Sequence, residues 1–200
     1  INKDLKKKFI KKKFSSKLLF PEIKDYSIIK KKIKNNYLTS NINEENMSFV
    51  YTLSKLLKIN EKSFVKAMES FKGLSHRFEI FLKSKNIIFI NDSKATSFRA
   101  AESALHSLKN VYWILGGLPK RNDKLKLSKL KKNIIKCYLI GKSINFFKNQ
   151  IKGRVDFSLT KNLKNSIIKI SKDIKLQKHN NKSILLSPGA ASFDQFENFE

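Results

Sequence analysis

The sequence predicts an α/β fold built on a mostly parallel sheet, and two patterns predict it. Apolar runs of strand length recur at residues 111–115, 135–140, 155–159 and 183–186, each neighboured by a helix-length segment. Strands buried on both faces and linked by crossover helices read this way. The second pattern is a change of period: apolar residues are spaced helically from Asn43 to about residue 73, whereas from Phe78 onward strands alternate with helices.

Along the chain, residues 1 to about 40 are rich in lysine, with scattered apolar residues such as Phe9, Phe14 and Leu18, and give no firm assignment. Asn43 reads as an N-cap, followed by Glu44 and Glu45 at the positive start of a helix whose face is formed by Met47, Val50, Tyr51, Leu53 and Leu57. Asn60 caps a second helix carrying Phe64, Ala67, Met68 and Phe71 at i, i+3, i+4 and i+7, and Gly73 marks its end. Residues 78–82 and 86–90 read as paired strands joined by a turn at 83–85. Helices are expected at 97–108, 125–132, 143–151 and 162–175, between the strands named above. In such sheets ligands bind beyond the carboxyl ends of the strands, which points to residues 92–96, 116–120, 141–143 and 187–193.

Composition narrows the class. The 200 residues carry 43 Lys+Arg against 16 Asp+Glu, a net charge of +27, yet 40% are hydrophobic, so a folded core is expected. All but four of the basic residues are lysine, the arginines being Arg77, Arg99, Arg121 and Arg154, and the lysines are spread over nearly every segment. Specific nucleic-acid reading favours converging guanidinium groups, so a specific nucleic-acid partner is not expected. Cys137 sits alone in an apolar run and reads as a buried, inert thiol. Neither a membrane span nor a secretory signal is legible, and a cytoplasmic monomer is expected.

Two glycine motifs invite cofactor readings that fail on spacing. Gly141-Lys142-Ser143 follows a strand and opens a helix, but a phosphate-binding loop needs a glycine five residues earlier, where Lys136 stands. The Gly116-Gly117 pair lacks the spacing of a dinucleotide fingerprint. No histidine has metal-ligand partners at usable spacing, and no metal site is expected in this chain.

Three segments are more specific when taken together: Gly73-Leu74-Ser75-His76-Arg77-Phe78-Glu79, Asp92-Ser93-Lys94-Ala95-Thr96, and the run from Leu185 through Ser187-Pro188-Gly189-Ala190-Ala191-Ser192-Phe193-Asp194-Gln195 to Glu200. In order, spacing and wording they resemble the Mur ligase family, in particular its D-glutamate-adding branch, from about Leu38 to Glu200. The resemblance implies that residues 1–76 are a remnant of a central ATP-binding domain of the P-loop type and residues 77–200 a Rossmann-like, D-glutamate-binding domain. It implies a reaction in which ATP converts the carboxylate of UDP-N-acetylmuramoyl-L-alanine to an acyl phosphate that D-glutamate then attacks. The phosphate-binding loop, the ligands of Mg2+ and the uridine-binding domain are expected upstream of Ile1.

By the same resemblance Asn43 and Asn46 approach adenine, with simple helix capping as the rival reading, and Arg77 approaches the ATP phosphates. Asp92 is expected at the ribose, its rival being a turn-forming role. Thr96, Lys120, Ser192, Phe193 and Phe199 match the positions that hold D-glutamate, with Lys120 the cation and Thr96 and Ser192 the hydroxyl donors a dianionic amino acid requires. His76 and Lys94 stand beside this cluster as candidates for a catalytic role. Ile42 replaces the family's histidine at the adenine edge. The alternatives are an amino-acid-binding domain of the same fold without ligase activity, and a basic nucleic-acid-binding protein.

Overall fold

The computed structural model describes residues 19–35, 37–40, 43–176, 181–195 and 197. The chain divides into two compact units, Ile1–Gly73 and Leu74–Glu200.

The first unit is helical among its described residues. Helix α1 (Ile23–Lys30), unassigned from sequence, is followed by α2 (Glu44–Leu56) and α3 (Glu61–Ser70). They enclose a small core of Tyr26, Ile29, Ile33, Leu38, Met47 and Phe64. Asn60 caps α3 as expected, its side chain accepting from Ser63 N at 2.8 Å. At the other end of α3 the Asn35 amide donates to the carbonyls of Met68 and Phe71, both at 2.8 Å, satisfying acceptors the helix leaves open. The expected face of α2 is corrected. Met47, Ser48 and Ser54 are the buried residues, with Tyr51 packed beside them, while Val50, Leu53 and Leu57 are exposed.

The second unit is a six-stranded sheet. Its strands are β1 (Glu79–Ser84), β2 (Ile87–Asn91), β3 (Val111–Gly116), β4 (Ile134–Ile140), β5 (Phe157–Lys161) and β6 (Lys182–Leu186), in the order β1-β2-β6-β3-β4-β5. Only the β1/β2 pairing is antiparallel; the other four are parallel. Helices α4 (Phe98–His106), α5 (Ile144–Ile151) and α6 (Leu163–Leu176) complete it. The strands alternate side chains between two cores, as a pleat requires. Val111, Trp113, Leu115, Cys137, Leu139 and Leu185 enter one with Phe98, Ala101, Leu105, Phe147 and Ile151, whereas Tyr112, Ile114, Tyr138, Ile140 and Ile184 enter the other with Ile170.

The expected helix at 125–132 is not formed. Leu125, Leu127 and Leu130 are all buried in the first of those cores, and their spacing of two and three residues suits an irregular segment laid over the sheet, ending in a 3-10 turn at Lys131–Asn133. The β1/β2 turn is shorter than expected, Lys85-Asn86, with Lys85 at φ 48. Helix α6 is pinned to the sheet by Asp173, which accepts from Lys136 Nζ at 2.8 Å, Lys169 Nζ at 2.8 Å and the Tyr138 hydroxyl at 2.9 Å. Burial alone pushes this carboxyl up, but those three donors outweigh it and hold its pKa at about 2. Cys137 is fully buried, and burial pushes its thiol well above the ordinary range, in keeping with an inert side chain. No described helix is long and apolar enough to cross a membrane.

Candidate functional site

The carboxyl ends of β2, β6, β3 and β4 open into four loops that are laced together. Beyond β2, Asp92 N donates to Leu186 O at 2.8 Å and Gly189 N donates to Ala95 O at 2.9 Å, tying the 92–97 loop to the segment after β6. That segment is tied in turn to the loop after β3 by Gly116 N to Pro188 O at 3.0 Å and Leu118 N to Ala191 O at 2.7 Å. The Trp113 indole donates to Ser187 O at 2.7 Å from beneath. The β3 loop returns to the start of α4, where Asp123 Oδ2 accepts from Phe98 N at 3.0 Å, a carboxylate at the positive end of a helix.

The Gly116-Gly117 pair is demanded by this lacing. Both glycines have positive φ, 147° and 125°, and a Cβ would run into the carbonyl of Ile140 at Gly116 and of Ala191 at Gly117. The pair lets neighbouring backbones close onto the end of β3, and Leu118, two residues before Lys120, pairs with Ala191.

On this platform stand Thr96 and Ser192, both half-buried, with Lys120 and Phe193 exposed. Each belongs to one of the laced loops, so backbone bonds bring together the segments that carry them. Lys120 has no carboxylate within ion-pairing distance among the described residues. Phe199 lies outside the described residues, as does Ile42.

The second cluster is built around Asp92, 9% exposed. Its Oδ1 accepts from Phe78 N at 3.0 Å and its Oδ2 from the Ser187 hydroxyl at 2.8 Å, so this carboxylate clasps the entry to β1 and the exit of β6. Both bonds are long-range, so they form a clasp between segments and not the local turn weighed from sequence, and they leave spare lone pairs on the carboxylate. Burial raises the Asp92 pKa, while Ser187, Phe78 N and the charge of exposed Arg77 work against that rise. Since the folded-state pKa lies above the unfolded one, the stability associated with the protonated group is present below the unfolded value and is lost as pH rises through the folded value. Asp92→Asn keeps an acceptor for Phe78 N and a partner for Ser187. Its melting temperature is expected to equal or exceed the parent's at pH 7 and to lose that advantage toward pH 4; a variant markedly less stable at pH 7 would contradict this account.

His76 adopts φ 63, its backbone N donating to Glu79 Oε2 at 2.8 Å and its carbonyl accepting from Lys94 N at 3.1 Å. Its Nδ1 lies 2.8 Å from Asn91 Nδ2. Asn91 Oδ1 accepts from Ser93 N at 3.1 Å, which orients the amide so that Nδ1 accepts and Nε2 carries the proton. His76 and Lys94 are thus joined through backbone, both exposed. In the first unit Asn43 stands at the start of α2 without a side-chain cap bond, because its backbone is already helical (φ −96, ψ −3); its amide donates instead to Tyr37 O at 2.7 Å. Asn46 is exposed on the first turn of α2. Sequence reasoning missed Ser187, Asp123 and Asp194, which organise the loops. Asp123 and Asp194 are acidic residues in a chain poor in them, and that scarcity was the available signal.

No family model matches the chain. It is 35% identical over 179 residues to UDP-N-acetylmuramoylalanine–D-glutamate ligase of Wolbachia pipientis wMel, covering 90% of this chain and 34% of the relative. It is 39% identical over 163 residues to the protein of the same name from Wolbachia sp. subsp. Brugia malayi, covering 82% of this chain and 32% of the relative. The chain thus spans about a third of the length of these relatives, matching their carboxyl-terminal part. The fold is shared with the crystal structure of MurF from Acinetobacter baumannii, with a TM-score of 0.53 at 14% identity over 78% of this chain and 35% of that one. Identity of 35% and 39% over most of its length, carried on this fold, establishes that the chain belongs to the Mur ligase family.

Proposed function

We propose that this chain supplies the amino-acid-receiving end of an ATP-dependent ligase that joins D-glutamate to UDP-N-acetylmuramoyl-L-alanine in the cytoplasmic synthesis of peptidoglycan precursor. The observation that carries the proposal is the platform of laced loops, which sets the exposed Lys120 ammonium and the hydroxyls of Thr96 and Ser192 at the ligand-binding end of the sheet. Relatives named for D-glutamate ligation supply the substrate class.

In this reading Lys120 neutralises a D-glutamate carboxylate, Thr96 and Ser192 donate to its oxygens, and Phe193 closes the site through its backbone. Held in this way, the amine attacks the carbonyl carbon of an acyl phosphate; the C–N bond forms, phosphate departs with the C–O bonding pair, and the nitrogen gives up a proton. Positioning of the nucleophile is the contribution assigned to this chain. Arg77 is assigned to the ATP phosphates and Asp92, through its spare lone pairs, to the ribose. Among the described residues no cluster of three His, Cys, Asp or Glu suited to a metal is found.

The sequence contains no complete glycine-rich phosphate cradle, so positioning of the γ-phosphate must come from elsewhere. The test incubates ATP, Mg2+, UDP-N-acetylmuramoyl-L-alanine and D-glutamate either with the purified chain or with the full-length protein that contains it. Ligated product is expected only from the full-length protein. Enzymatic turnover by the chain alone, about 1 per second or more, would contradict this division of labour, and a full-length protein that binds D-glutamate without ligating it would favour the non-catalytic alternative.

A further inference from the structure

We infer that Asp194 is a positioning residue for the amino-acid subsite: its carboxylate fastens the Ser192-Phe193 segment to the turn after β4 and so fixes where that segment presents its hydroxyl and backbone. The inference rests on the proposal that this segment holds the amino acid. Asp194 Oδ2 accepts from Lys142 N at 2.7 Å, across 52 residues of chain. Lys142 lies in the turn that opens α5, where Ser143 occupies the N-cap position without making a side-chain cap bond. Asp194 thus reaches from a distant loop to the backbone N–H of the residue just before that N-cap and ties the approach to α5 to its own segment.

Gly141 shows how closely the pieces meet. A Cβ there would collide with Asp194 Oδ2 and come within 3.1 Å of both Gln195 Nε2 and Gly117 N. The end of β4, the glycine pair after β3 and the Asp194-Gln195 step thus converge on one point. Gln195 N donates to Ser192 O at 2.9 Å, closing a turn that carries the anchorage of Asp194 back to Ser192. Asp194 Oδ1 is buried with no hydrogen-bond partner among the described residues.

The experiment compares Asp194→Ala and Asp194→Asn in the full-length protein, measuring KM for D-glutamate, KM for ATP, kcat and melting temperature. Alanine is expected to raise the D-glutamate KM about tenfold, the scale of one lost charge-assisted hydrogen bond, with the ATP KM within about twofold. Asparagine keeps an acceptor for Lys142 N and is expected to recover most of the loss. In the isolated chain the Lys142 amide proton resonance should move upfield in the alanine variant while the β3 and β4 amide resonances keep their positions, which reports the bond in the folded state. An unchanged D-glutamate KM, an equal rise in both KM values, an asparagine variant as impaired as alanine, or an unmoved Lys142 resonance would each overturn the inference. A parent protein that does not use D-glutamate removes the reading beneath it, and the inference with it; a parent that does, with an unaffected alanine variant, refutes Asp194 alone.

Discussion

Trp113→Ala is expected to destabilise the second unit by about 3–5 kcal/mol. Trp113 is fully buried at the centre of the sheet, in the core that α4 and α5 cover. Its loss would leave a cavity that neighbouring β3 and β4 side chains, fixed by parallel ladders, could fill only in part. It would also remove the indole donor that meets Ser187 O at 2.7 Å, immediately below the loops of the site. Urea denaturation followed by far-UV circular dichroism measures the change. A shift below about 0.5 kcal/mol, the size of a surface substitution, would show that the core is not organised around this residue.

Lys120→Ala is expected to reduce kcat/KM for D-glutamate ten- to a hundredfold in the full-length protein, about 1.5–3 kcal/mol for one partner of a charge-assisted contact. The KM for ATP should hardly change, since no role toward the phosphates is assigned to this side chain. The expectation follows from position: Lys120 is exposed just beyond the glycine pair, on a loop anchored at both ends by the Leu118 to Ala191 bonds and by Asp123 at the start of α4. Steady-state kinetics with each substrate varied in turn would decide it, and an unchanged D-glutamate response would remove Lys120 from the site.

Much of the second unit is legible in the sequence because its central strands are buried on both faces. Val111–Gly116 and Ile134–Ile140 carry almost no polar residue, so their strand character does not depend on alternation. The 125–130 segment misleads for the opposite reason: Leu125, Leu127 and Leu130 are buried by the tertiary fold, and three leucines in six residues also suit a helix. Helix α1 is hidden because only Tyr26 and Ile29 bear its buried face, within a lysine-rich stretch. On α2 sequence favoured the more apolar stripe, whereas the unit buries the stripe with serines.

For the site, the strand-end rule locates the loops, and the resemblance supplies names for residues within them. What neither shows is how the loops are joined. Asp92 reads as a ligand group or a turn former, and neither reading contains the clasp it makes with Phe78 N and Ser187; Asp194 reads as one polar residue in a motif until its bond to Lys142 is seen. All three bonds join residues far apart in sequence, and no local spacing encodes them.

The measurement that bears most directly on the central claim is a competition for the acceptor site. The full-length protein would be given ATP, Mg2+, UDP-N-acetylmuramoyl-L-alanine and equimolar D-glutamate, L-glutamate, D-alanine and L-lysine, with products identified by mass spectrometry and chiral analysis. A ligase whose acceptor end is built from Lys120, Thr96 and Ser192 for a dianionic amino acid is expected to yield the D-glutamate product alone. Preferential ligation of L-lysine or D-alanine, neither of which brings a second carboxylate, would contradict the account.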